Sequence, residues 1–369
     1  MSKDKKQKLE KLSRQKRDNK EWKIPKKDVY VEEQIKRKMP AWLIPSLLVL
    51  ALSIFFIWFV PQLIGRYQKN KNDTKPPVLE QDPFFEKADA VVNQKTVRLY
   101  DQASLSANRL TSCLFNEPVH LLKKERENGF YWIELQEGIK GYVLADYLTL
   151  DISSLTSDSI VSKAFVINGE KYIASDAVSG DILAVAPMGS VLYADYVTEK
   201  VIRVILPGQE IGWLSRENIL VLNSNQTFPQ PESKEAELFC SSALKFLNVA
   251  YVPGGLTLEG IDMPGIIYLA GQTNGIDISR DLEQQAEIGT QISFEFDGNG
   301  MPILSGLKVG DLLFFSINDE DSNLSSAGIY LEDNNMLYAY GNQSSIDVVS
   351  FQDNEKLLEN LVRVRRLFD

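Results

Sequence analysis

Gly310-Asp311-Leu312-Leu313-Phe314-Phe315, Ser326-Ala327-Gly328-Ile329-Tyr330 and Met336-Leu337-Tyr338-Ala339 are three short apolar runs that decide the fold of the C-terminal third. Each has the length of a strand, and polar turn residues separate them, the pattern of consecutive antiparallel strands. The chain closes on one more alternating run, Leu361-Val362-Arg363-Val364-Arg365-Arg366-Leu367. Upstream, residues 234–247 place Phe239, Ala243, Phe246 and Leu247 at i, i+4, i+7 and i+8, which predicts an amphipathic helix. A turn at Gly254-Gly255 leads to a second helix over Pro264-Gly265-Ile266-Ile267-Tyr268-Leu269-Ala270, closed near Gly275. Helices first and a run of strands afterwards define an α+β domain over residues 236–369.

A joint at 223–235, with Phe228-Pro229-Gln230-Pro231, separates this domain from two β-rich stretches, 87–150 and 158–222. The first holds Thr96-Val97-Arg98-Leu99-Tyr100, Pro118-Val119-His120-Leu121-Leu122, Phe130-Tyr131-Trp132-Ile133-Glu134-Leu135 and Gly141-Tyr142-Val143. The second repeats the order with Gly189-Ser190-Val191-Leu192, Val201-Ile202-Arg203-Val204-Ile205-Leu206 and Gly212-Trp213-Leu214. Five or six short strands in each stretch predict two small all-β barrels. Trp132, Tyr142 and Trp213 have two readings, as barrel-core fillers or as ligand contacts.

Residues 41–64, AWLIPSLLVLALSIFFIWFVPQLI, carry no charge. At 1.5 Å per residue such a helix spans about 36 Å, enough for a single transmembrane pass. Trp42 and Trp58 stand near its ends as interfacial anchors do. Its distance from Met1 and the lack of a small-residue cleavage site favour an uncleaved anchor over a signal peptide. Residues 1–40 hold fifteen Lys or Arg against seven Asp or Glu. That excess puts the N-terminus in the cytoplasm and the remaining domains outside, with residues 65–86 as a tether.

The chain of 369 residues has a net charge of −10, so its body beyond the basic tail is strongly acidic and nucleic-acid binding is not expected. Two cysteines, Cys113 and Cys240, build no disulfide framework, and a single histidine, His120, excludes any centre that needs two imidazoles. The Asp319–Asp321 run lacks the glycine and glutamate of an EF-hand loop, so neither metal nor cofactor is expected.

The C-terminal domain resembles the NlpC-type cell-wall cysteine peptidases, whose fold is a papain-like α+β unit. The motifs that carry the resemblance are Tyr251-Val252-Pro253-Gly254-Gly255, Asp262-Met263-Pro264-Gly265, Arg280-Asp281 with Gln285 and Gly289, Gly310-Asp311-Leu312-Leu313-Phe314, Ser326-Ala327-Gly328-Ile329-Tyr330, and Met336-Leu337-Tyr338-Ala339. The two preceding stretches resemble tandem bacterial SH3-type domains, which in that setting bind cell-wall peptides or position the catalytic domain.

The resemblance implies a catalytic Cys, His and orienting polar residue where this sequence has Met263, Ser326 and Tyr338. A thioether has no proton to lose and gives no thiolate, and a serine hydroxyl accepts no proton near neutral pH. Cys240 lies in the first helix, before Tyr251 rather than after it, and reads as a buried structural thiol beside Leu244 and Leu247. The expectation is therefore a pseudoenzyme displayed on the envelope, with Tyr251, Asp262, Arg280 and Asp281 either lining a binding groove or keeping the fold. Its expected partners are peptidoglycan stem peptides or an envelope protein. Two alternatives stay open: an active stem-peptide hydrolase using Cys240, and a sensor signalling through the basic tail.

Overall fold

The computed structural model describes residues 88–223, 226–229, 234–298, 301–317, 323–341, 343–351 and 353–368. The expected tail, membrane span and tether, and the Asp319–Asp321 run, lie outside the described residues.

Seven strands form the first β domain: β1 (Ala90–Val92), β2 (Thr96–Tyr100), β3 (Arg109–Leu114), β4 (Pro118–Leu121), β5 (Phe130–Glu134), β6 (Lys140–Leu144) and β7 (Leu148–Thr149). A one-turn helix α1 (Ser153–Thr156) bridges to the second, made of β8 (Ser162–Val166), β9 (Glu170–Ala174), β10 (Ile182–Pro187), β11 (Val191–Val197), β12 (Val201–Ile205), β13 (Ile211–Ser215) and β14 (Ile219–Asn223). Both sheets are antiparallel throughout. The first runs β3-β2-β6-β5-β4-β1-β7 and the second β10-β9-β13-β12-β11-β8-β14, the same order shifted by seven strands. The repeat legible in the sequence is thus a repeat of topology. Each domain has more strands than alternation predicted, because β1 is buried at all three positions and β7 has only two residues.

Inward positions are mostly aliphatic, with Val97, Leu99, Ile133 and Val143 in one domain and Val166, Ile173, Ile202 and Leu214 in the other. Trp132 and Tyr142 are not core fillers. They face each other across β5 and β6 on a partly exposed surface, ring centroids 4.6 Å apart. Trp213 lies likewise on an outer face, with Arg203 5.5 Å over its ring. The broad aromatics sit outside because β-branched and leucine side chains already fill these narrow interiors.

In the C-terminal domain, α2 (Glu235–Ala243) tightens into a 3-10 turn over Leu244–Phe246, and a small hairpin follows, β15 (Leu256–Thr257) and β16 (Gly260–Ile261). Then come α3 (Met263–Gln272) and the one-turn α4 (Leu282–Gln285). The remaining elements are β17 (Thr290–Gln291), β18 (Glu295–Phe296), β19 (Pro302–Ile303), β20 (Leu312–Phe315), β21 (Ser326–Tyr330), β22 (Asn335–Tyr338), β23 (Asp347–Ser350), a one-turn α5 (Glu355–Leu358) and β24 (Leu361–Arg366). Six of them form one sheet, β17-β24-β20-β21-β22-β23. Its central strand β20 is buried at every position. Leu312 and Phe314 join the core shared with α2 and α3, while Leu313 and Phe315 pack in a second core with Tyr338 and Val364. The two-residue side-chain period of a strand makes that division.

The first helix is shorter than its periodicity suggests. Because the backbone tightens after Ala243, Leu244 and Leu247 turn outward and Cys240 is buried instead among Phe239, Ala243 and Phe246. The β domains pack directly on this unit. Ser112 Oγ donates to the Gly254 carbonyl at 2.7 Å, and Lys245 Nζ donates to the Ile167 carbonyl at 3.0 Å. Gly189, at φ +91°, lies so close to α3 that a Cβ there would come within 2.3 Å of Leu269.

Candidate functional site

The Gly254-Gly255 turn and the start of α3 are held by one side chain. Gly254 has φ +66°, a left-handed conformation that favours glycine, and a Cβ on Gly255 would lie 2.4 Å from the Gly260 carbonyl oxygen. The turn thereby brings its amide to Asp262. Asp262 Oδ2 accepts from Gly254 N at 2.7 Å, and Oδ1 accepts from Gly265 N at 2.9 Å as the N-cap of α3. Enclosure of the carboxyl pushes it up to about 6, outweighing the stabilising effect of the two amide donors. Arg109 of the first β domain borders the same turn and pulls in the opposite direction.

Met263 takes the first position of α3 and is 1% exposed. A helix N-terminus would lower the pKa of a thiol, but on a thioether that field has nothing to ionise. Ser326 and Tyr338 stand on neighbouring strands with their hydroxyls 2.9 Å apart, both buried. Burial pushes the Tyr338 phenol up to about 12, against the Ser326 hydrogen bond. Tyr251, also pushed to about 12 by burial, is raised further by Asp262 and by Tyr340. Asp262 and Tyr338 each act electrostatically with Tyr251, while Ser326 and Tyr338 share one hydrogen bond in the second core and Met263 belongs to the first.

Arg280 and Asp281 are placed elsewhere. Asp281 caps α4 by accepting from Gln284 N at 2.9 Å. Gln285, fully buried on α4, donates to the carbonyls of Pro264 and Ser279 at 2.8 and 2.7 Å, tying this turn to the start of α3. The Arg280 side chain is 1% exposed and belongs to the junction with the first β domain. Its Nη2 reaches Glu117 Oε1 at 2.8 Å and Glu137 Oε1 at 2.9 Å, and its Nη1 donates to the Ser112 carbonyl at 2.8 Å. The two glutamates are ion-pair partners of Arg280 that sequence reasoning missed, because no local pattern links them to a residue two domains away.

Cys240 Sγ sits 4.0 Å from the Tyr330 carbonyl oxygen, and burial pushes its thiol up to about 12. His120 lies on β4 of the first β domain, paired with Asp89 at 2.5 Å. Among the described residues no group of three or more His, Cys, Asp or Glu is arranged to hold a metal. The arrangement around Met263 can donate and accept hydrogen bonds, but it pairs no ionisable nucleophile with a base.

Residues 248–366 match the NlpC/P60 family model. Over 134 residues the chain is 31% identical to the gamma-D-glutamyl-L-lysine dipeptidyl-peptidase of Bacillus subtilis, covering 36% of this chain and 41% of that protein. It is 24% identical over 237 residues to dipeptidyl-peptidase 6 of Lysinibacillus sphaericus, covering 61% of this chain and 81% of that one. The chain spans about two fifths of the length of the Bacillus relatives it matches. A solved NlpC/P60 family protein from Bacillus cereus is similar in fold, with TM-score 0.63 and 17% identity over 76% of this chain and 99% of that one. That coverage takes in more than the C-terminal domain.

Proposed function

We propose that this protein is a membrane-anchored, non-catalytic relative of the NlpC/P60 peptidases that binds peptidoglycan stem peptides, or an envelope protein, without cleaving them. The two β domains are read as SH3-type barrels, and the C-terminal domain as a papain-like unit. Residues 41–64 serve as the span, with the N-terminus in the cytoplasm. The observation that carries the reading is the replacement of a thiol–imidazole pair by Met263 and a closed Ser326–Tyr338 hydrogen bond. The surrounding phenols and the Asp262 carboxyl keep the polar character that a peptide-binding groove needs.

The names of the Bacillus relatives support a second reading, hydrolysis of γ-D-glutamyl peptides. It requires Cys240, the thiol of the C-terminal domain, to act from a buried position with a pKa near 12. The chemistry of that site weighs against it. A third role, signalling through the basic tail, is compatible with the first.

The test incubates the full-length chain, held in detergent, with purified peptidoglycan sacculi. Sedimentation reads bound protein and mass spectrometry reads released peptides. Co-sedimentation without new fragments is expected. Fragments abolished by Cys240→Ser would transfer the function to the second reading. Neither binding nor fragments would shift it to a protein ligand.

A further inference from the structure

Around Tyr268 and Gln272 of α3 the three domains meet at a cavity of about 60 Å³, room for about two water molecules. Its wall includes Asn116 and Glu137 of the first β domain, Ser190 of the second, and Gln272 and Arg280 of the C-terminal domain. Tyr268 and Gln272 lie five and nine residues along α3 from Met263, about 7 and 13 Å up the helix axis. The cavity is therefore separate from the candidate groove.

Four of the lining residues each carry a buried side-chain oxygen without a hydrogen-bond partner: Asn116 Oδ1, Glu137 Oε2, Ser190 Oγ and Gln272 Oε1. Asn116 and Ser190 are each 1% exposed as whole residues. The Asn116 amide is oriented by its Nδ2, which donates to the Val191 carbonyl at 3.1 Å, so its oxygen is the atom left over. Glu137 spends Oε1 on Arg280 and keeps Oε2 free. Three of the four atoms are pure acceptors in these orientations. Leaving buried acceptors unmet is unfavourable, and native interiors seldom tolerate several together.

The charge points the same way. Glu117 and Glu137 face a single guanidinium, Arg280, leaving one net negative charge at the junction. A small cation would meet the orphaned oxygens and cancel the excess charge at once. One free carboxylate oxygen among neutral oxygens suits a monovalent ion, since divalent ions call for more charged ligands. The all-oxygen set excludes metals that prefer sulfur or imidazole.

We infer that the three-domain junction is a binding site for a small monovalent cation, of the size of potassium or ammonium, held by Asn116, Glu137, Ser190 and Gln272. Bound there, the ion bridges all three domains and stabilises their docking by mass action.

The test compares thermal unfolding of the full-length chain in potassium, ammonium, sodium and N-methylglucamine chlorides at equal ionic strength. A midpoint about 2–4 °C higher in at least one small cation than in N-methylglucamine is expected. Ser190→Ala and Glu137→Gln should each abolish that increment. Glu137→Gln also disturbs Arg280, so Ser190→Ala decides if that variant fails to fold. Crystals grown in rubidium chloride should show an anomalous peak inside the cavity. Equal midpoints in all four salts, an increment retained by Ser190→Ala, or a cavity holding only water would overturn the assignment.

Discussion

The Ser326 hydroxyl and the Tyr338 phenol are hydrogen-bonded at 2.9 Å between adjacent strands, and each is shielded from solvent. Tyr338 also packs edge-on against Phe315, ring centroids 5.5 Å apart. The pair thus anchors polar groups inside an otherwise apolar core. Tyr338→Phe should strand the Ser326 hydroxyl and lower stability by about 1–3 kcal/mol, whereas adding Ser326→Ala should recover much of that loss. Urea unfolding of the two single variants and the double variant measures the coupling. Strictly additive losses would contradict the bond.

Both thiols should be inert in the folded protein. Cys113 is fully buried with its thiol raised by desolvation, and Cys240 is pushed to about 12. A disulfide reagent at neutral pH should react with no thiol promptly in the native chain and with two after unfolding. A fast-reacting Cys240 would contradict the burial argument and favour a relocated nucleophile.

Asp262 should make stability depend on pH in a defined direction. Its folded carboxyl, near 6, lies above the ordinary aspartate value of 3.8, so the fold binds a proton that the unfolded chain has released. That contribution is fully present below about pH 4 and is lost as pH rises through about 6. The stability of the parent relative to Asp262→Asn should therefore fall between pH 4 and pH 7, read by urea midpoints at each pH. A difference that grows over that range would show the carboxylate to be favoured instead.

Arg280 stacks over Tyr268, 4.3 Å from guanidinium carbon to ring centroid, while its Nη2 donates to the Tyr268 hydroxyl at 2.7 Å. Removing it leaves Glu117 and Glu137 buried without their counter-charge. Arg280→Ala should cost about 3–5 kcal/mol, and Arg280→Lys should recover little because an ammonium cannot serve both carboxylates and the ring. The first urea transition of the full-length chain measures both. A loss within about 0.5 kcal/mol, typical of a surface change, would contradict this role of Arg280 at the domain junction.

What the sequence disclosed follows from the range of each interaction. Strands such as Leu312–Phe315 announce themselves by short apolar runs, and Asp262 announces a helix start by its position before Met263 and Pro264. Ala90–Val92 is silent because it is buried on every side and does not alternate. Trp213 and Trp132 read equally well as core or surface, since an aromatic's composition does not say which face of a strand it takes. The contacts of Arg280 span 163 and 143 residues of chain, so only the docking of domains brings its partners to it.

The most direct measurement of the central claim is turnover of a γ-D-glutamyl-L-lysine peptide by the full-length chain, followed by mass spectrometry beside Met263→Cys and Met263→Cys/Ser326→His variants. The parent and the single variant should release no product, because neither holds a base next to a thiolate. Product from the parent that disappears with Cys240→Ser would contradict the account.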